Sequence, residues 1–109
     1  MKLTEQKCVP CRGDMSPLPN EDVRILLKEI PQWTLKDNVI ERLFQFKDFK
    51  EAMHFVNRVA DAANQEDHHP DIHIYYNKVR IELSTHKIKG LSKNDFILAA
   101  KIDELVGGT

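Results

Sequence analysis

No uninterrupted apolar stretch in the 109 residues approaches the roughly 20 needed to span a bilayer, so a membrane protein is not expected. The opening MKLTEQKCVPCRGD also lacks the apolar segment of a secretory signal, and the expected location is the cytoplasm. An excess of one charge is missing too. Sixteen basic residues stand against 17 acidic ones, a formal charge of −1, which leaves no electrostatic footprint for nucleic acid or an anionic membrane. Any partner must be recognised by shape. Cysteine is scarce: Cys8 and Cys11 form a single CxxC, without the second pair of a four-thiolate zinc site. Neither the strand before it nor the helix after it that a thioredoxin-like centre needs is visible, so the motif reads as a reduced or mobile turn, with a metal or redox role shared with a histidine or another subunit as the alternative. There is no fixed-period repeat and no low-complexity segment.

What is present is an ordinary soluble composition, 41% apolar and 30% charged, at a length suited to one domain. Residues 1–19, with Pro10, Gly13, Pro17 and Pro19, read as an arm without a periodic core pattern; residues 20–109 form the domain. Asn20 stands as N-cap to a helix in which Val23, Leu26, Leu27 and Ile30 recur at helical spacing and which Pro31 closes. QWTLKDNVIERLFQF reads as a hairpin turning at Asp37 and Asn38, with Arg42 interrupting its apolar face. Asp48 and Glu51 have capping-box spacing ahead of a long helix whose stripe is read as Phe49, Met53, Val56, Ala60 and Ala63, with His54 facing solvent. Pro70 ends that helix before the double histidine. A second hairpin follows, then a helix from Ser92 with Leu98, Ile102, Leu105 and Val106 on one face. The fold expected is α+β: a four-stranded antiparallel sheet from two hairpins, with three helices packed on one face.

Four of the five histidines lie between residues 66 and 87, in EDHHPDIHIYYNKVRIELSTHK. A two-residue turn at Asn77 and Lys78 sets Ile74 against Ile81 and Ile72 against Leu83 on an apolar face. It sets Tyr75 against Arg80, His73 against Glu82 and Asp71 against Ser84 on a polar one. Counting outward brings His69 opposite His86, with His68 beside them at the bend made by Pro70. His69 and His73, roughly 13 Å apart in extended chain, cannot share a metal. A zinc site of His68, His69 and His86 is sterically open, but neither the nearby carboxylates nor the strand geometry selects it. His73 with Glu82 reads as a surface pair. Asp95 caps the last helix in SKND and is also near enough in the chain path to bond a histidine of the cluster.

HHPDI, then YNKVRIELSTH, then Asp95 nine positions after His86, together resemble the pterin-4a-carbinolamine dehydratase family. The likeness runs from residue 20 almost to the carboxyl terminus and takes in Pro31 to Trp33. It implies the same α+β fold, assembly as a homodimer or homotetramer, and dehydration of 4a-hydroxytetrahydropterin to quinonoid dihydropterin without metal or organic cofactor. It also implies a functional link to aromatic amino acid hydroxylases, which make that carbinolamine, and hence to tetrahydrobiopterin recycling. By the resemblance, His68 and His86 match acid catalysts and His69 a residue that holds the pterin. Pro70, Thr85, Lys87 and Ile88 match positions lining the pocket, and Asp95 a supporting aspartate. One position departs: four residues before the first histidine, where the family often has an ionisable residue, stands Asn64, with Glu66 and Asp67 as the substitutes at hand, though the helix aims them differently. Two other readings accompany this one, a protein-binding module of the transcriptional-coactivator type and a pterin-handling factor of molybdopterin metabolism.

Overall fold

Residues 2–9 and 15–107 are described by a computed structural model, and its sheet explains most of the pattern above. Helix α1 is Asn20–Leu27, strands β1 and β2 are Thr34–Lys36 and Val39–Gln45, and helix α2 is Phe49–Glu66. Strands β3 and β4 are Asp71–Tyr75 and Lys78–Leu83, and helix α3 is Lys93–Gly107. Short 3₁₀ turns occupy Leu3–Glu5 and His86–Ile88. The strands form one antiparallel sheet in the order β1-β2-β4-β3.

Because side chains alternate across a strand, pairing Ile40 with Leu83 and Phe44 with Val79 puts Ile40, Phe44, Val79, Ile81 and Leu83 on one buried face. Leu43, Glu41 and Arg80 fall on the other face. Arg42 shares the core face, as its place in the alternation demands. Its guanidinium lies 4.3 Å above the Phe44 ring and 2.7 Å from Asp103 of α3, which also accepts the Trp33 indole N–H at 2.9 Å. An interruption in the apolar pattern is thus a bond between sheet and helix.

Three expectations are corrected. The turn of the second hairpin is Tyr76 and Asn77, with Tyr75 paired to Lys78, Ile74 to Val79 and Ile72 to Ile81. Tyr76 takes the left-handed conformation at φ 54°, and Asn77 is gripped by the end of β2: Phe46 N–H donates to its carbonyl at 2.8 Å and its Nδ2 donates to the Phe46 carbonyl at 3.0 Å. A register displaced by two residues keeps every side chain on its face, so the alternation does not distinguish the two. His69 therefore does not pair with His86; the ladder ends at Asp71 and Glu82, and counting on would face His69 with Ser84. His73 sits opposite Arg80 and reaches Glu82 diagonally at 3.3 Å, on the outer face.

Second, the buried stripe of α2 is Ala52, Phe55, Val59 and Ala63, one position round from the one expected, although Ala63 is common to both. Phe55 packs in tilted contact with Phe44 and Phe46, ring centroids 4.7 and 5.0 Å away, while Phe49 is 48% exposed and stacks against Tyr76. His54 does face solvent, and Asp48 caps by accepting the Glu51 N–H at 2.9 Å. Third, α1 begins one residue after Pro19 with Asn20 inside its first turn, and it ends at Leu27. Lys28, Glu29 and Ile30 continue as tighter i→i−3 bonds, since the residue before Pro31 is disfavoured in helix.

The described part of the amino-terminal arm is docked. Leu3 is buried in the common core, Cys8 and Leu18 pack against it, and the turn at Leu3–Glu5 lies on α3. Cys11 lies outside the described residues. No described helix is long and apolar enough to cross a membrane.

Candidate active site

Helix α2 stops where Asp67 adopts the left-handed conformation, φ 52°, a state its short polar side chain tolerates. The His68 N–H then bonds back to the Ala63 carbonyl at 3.2 Å, and the chain turns toward β3 with both imidazoles at the bend. The other wall comes from the exit of β4. Thr85 and Gly90 bridge across the 3₁₀ turn His86–Ile88, which lifts His86 out of the ladder. A β-carbon at Gly90 would sit 2.7 Å from Pro17 Cβ, so the arm packs this closely on the loop only with glycine there.

The two walls meet at Asp95, which is fully buried in the first turn of α3. One carboxylate oxygen, Oδ2, accepts the Ser92 N–H at 2.9 Å and the Thr85 hydroxyl at 2.8 Å. The other, Oδ1, lies 2.6 Å from His68 Nε2. Thr85 has one hydroxyl proton, given to Asp95, so the 2.7 Å contact between Thr85 and Ser92 hydroxyls is donated by Ser92. The two readings of Asp95, helix cap and histidine partner, both hold. A carboxylate only accepts, so Nε2 of His68 carries the proton and Nδ1 is left for other chemistry. His69 is arranged similarly with a neutral partner, its Nε2 lying 3.0 Å from Asn64 Oδ1.

His68, His69 and His86 line one cleft of about 330 Å³ together with Asp67, Ser84, Thr85 and Lys87. Three imidazoles from two separate chain segments therefore share a space although the register that was to bring them together is different. Thr85 is buried and its hydroxyl is spent inside the protein; Ile88 is buried in the 3₁₀ turn, and neither it nor half-buried Pro70 lines the cleft. Asp67 and Ser84, which the pattern did not single out as pocket residues, do line it. Ser84 was legible as a polar-face residue of the second hairpin, and Asp67 as an acidic neighbour of the double histidine. Glu66 does not replace the missing ionisable side chain at Asn64, because its carboxylate is held by the Cys8 N–H and Lys101. Among the described residues no group of three His, Cys, Asp or Glu is placed to hold a metal ion. A larger cleft, about 650 Å³, lies along the start of α2 and contains only His54 of the histidines.

Comparison with known proteins places residues 16–105 in register with the sequence model described as "Pterin 4 alpha carbinolamine dehydratase". A provisionally named pterin-4-alpha-carbinolamine dehydratase of Nitrosomonas eutropha is 51% identical over 105 residues, covering 95% of this chain and 93% of its own. A protein of Halorhodospira halophila with the same provisional name is 46% identical over 107 residues, covering 96% and 98%. Among solved structures, a transcriptional coactivator/pterin dehydratase from Brucella melitensis matches with a TM-score of 0.78 at 32% identity, over 83% of this chain and 98% of that one. A pterin dehydratase-like protein identified as a RuBisCO assembly factor in the alpha-carboxysome matches at 18% identity with a TM-score of 0.58, a likeness of fold alone.

Proposed function

The chain belongs to the pterin-4a-carbinolamine dehydratase family, and from that premise we propose that it is a hydro-lyase converting 4a-hydroxytetrahydropterin to quinonoid dihydropterin and water. The observation that carries this reading is the cleft shared by His68, His69 and His86, with His68 held by the buried Asp95. In the reaction the C4a–O bond breaks and its electron pair leaves with oxygen, which takes a proton and departs as water. The N5–H bond supplies the pair for the new C4a=N5 double bond, and its proton passes to a base. An acid and a base near neutral pKa are therefore needed on one small molecule, and imidazole serves as either.

His68 and His86 act as the proton donors to the departing oxygen. Asp95 holds His68 by Nε2 and so leaves Nδ1 for the substrate, while His69, oriented by Asn64, holds the pterin ring. Lys87 and Ser84 contribute polar contacts at the rim, and Thr85 acts through Asp95 instead of touching substrate. The substrate is the product of aromatic ring hydroxylation by a pterin-dependent enzyme, and the dehydratase returns it to the reducible pool of a tetrahydrobiopterin-type cofactor. A homodimer or homotetramer is the working form; exposed Leu43 on the open sheet face and exposed Phe49, Tyr75 and Tyr76 at the hairpin end support such assembly. The test is direct. Purified protein should accelerate dehydration of synthetic carbinolamine at neutral pH over the buffer rate, and no acceleration would overturn the reading.

A further inference from the structure

The CxxC arm is the one sequence feature that the proposed chemistry does not absorb, and its described half ends beside the site. Two consecutive arm residues bind the two segments that carry His68 and Asp95. The Cys8 N–H donates to Glu66 Oε1 at 2.8 Å, on the last residue of α2 and two positions before His68. Val9 is held on both sides of its backbone by the Asn94 amide: its N–H donates to Oδ1 at 3.0 Å and its carbonyl accepts from Nδ2 at 2.7 Å. Cys8 Sγ also donates to the Asn94 carbonyl at 3.6 Å. Asn94 immediately precedes Asp95 and is itself buried, so this side chain acts as a piece of β-ladder between arm and helix. Leu3 in the core gives the arm its footing. Residues 2–9 precede the stretch matched by the family's sequence model, which starts at residue 16.

We propose that Cys8 and Val9 form a clamp that sets the spacing of α2's end from α3's start, with Asn94 and Glu66 as positioning residues for the His68–Asp95 pair. The physical ground is that a 2.6 Å contact between side chains on two helix ends is only as fixed as those ends are. Glu66 is also tied to Lys101 of α3 at 3.2 Å, but Lys101 lies six residues beyond Asp95, whereas the arm's contacts to Asn94 are adjacent to Asp95 itself. A buried amide with both its groups satisfied by one residue is also specific: no rotated Asn94 side chain meets both the N–H and the carbonyl of Val9. The clamp rests on the proposed function only for its effect on rate.

The test uses the full chain labelled with ¹⁵N. Long-range imidazole spectra, with His68 assigned by its loss in His68→Gln, report the proton shared with Asp95 whether or not the protein is a dehydratase. In Asn94→Ala that proton should exchange with water ~10-fold faster and its signal shift, and kcat should fall ~10-fold with KM within about twofold, the signature of a misplaced acid and not of lost binding. Glu66→Ala should act in the same direction, and Glu66→Gln, which keeps an acceptor for the Cys8 amide, should restore most of the His68 signal. If Asn94→Ala does not fold, Glu66→Ala with its Gln rescue decides on the same readings. A wild-type His68 signal in the folded alanine variants, or a rise in KM with kcat unchanged, overturns the clamp. An inactive wild type with the spectral effects intact would overturn the proposed function and leave the clamp supported.

Discussion

His68 Nε2 and Asp95 Oδ1 are 2.6 Å apart, and the partners of that carboxylate come from three different places in the chain: the bend after α2, the exit of β4 and the start of α3. Asp95→Asn tests the arrangement, because an amide offers one acceptor and one donor where the site needs an acceptor on both sides. The expected result is a loss of roughly 100-fold in dehydration rate, of the order that positioned acid–base groups contribute, and about 1–3 kcal/mol of stability from the unsatisfied buried group. Steady-state kinetics and urea unfolding of the same preparation measure both.

His69 is exposed and its ring bonds only Asn64 among the described residues, so its removal should separate activity from stability. His69→Ala is expected to lose most of the dehydratase rate while its unfolding free energy changes by no more than about 0.5 kcal/mol. A variant with near-wild-type turnover would remove His69 from the proposed chemistry.

The arm gives the protein a pH dependence at both ends of the scale. Burial pushes the Cys8 thiol up to about 12, with the Glu66 carboxylate adding to it. Its folded value lies above the unfolded one, so this contribution is full below about pH 9 and is lost as pH rises toward 12. Glu66 itself is opposed by burial but held below the usual carboxylate value by the Cys8 N–H and Lys101, so its contribution is present above that value and lost as pH falls through it. Stability measured against pH should show both shoulders. Cys8→Ala should remove the alkaline one and Glu66→Gln the acid one. In a Cys11→Ser background, alkylation at pH 8 should run roughly a thousandfold slower in the folded chain than in urea, because so little thiolate is present.

Asp103 joins β2, the segment before β1 and α3 by accepting from Arg42 and Trp33. Both ionised side chains are partly exposed, which limits their mutual attraction, yet Asp103→Ala would strand an indole N–H and a guanidinium on the core side. A cost of about 1–3 kcal/mol is expected, with turnover at a permissive temperature unchanged. Thermal unfolding monitored by Trp33 fluorescence provides the measurement.

The histidine cluster was legible for a reason that survived an error. Ile72, Ile74, Val79, Ile81 and Leu83 alternate, and alternation establishes which face each side chain takes but repeats every two residues, so it could not tell a turn at Asn77 and Lys78 from one at Tyr76 and Asn77. His86 reached the cleft through the 3₁₀ turn between Thr85 and Gly90, a loop that no period announces. In α2 the same ambiguity was rotational: Phe49, Met53, Val56 and Ala60 have helical spacing, as do Ala52, Phe55, Val59 and Ala63, and the packing on the sheet, with Phe55 against the rings of Phe44 and Phe46, and on α3 selects between them.

The order of elements, the two hairpins, the capped start of α2 and the capping role of Asp95 follow from local chemistry, because period, turn residues and caps act over a few positions. The exact strand register, the rotation of α2 and the docking of Cys8 and Val9 on Glu66 and Asn94 were decided only when distant segments met. Each depends on contacts between residues far apart in the chain, where one local pattern is compatible with several partners and packing leaves room for one.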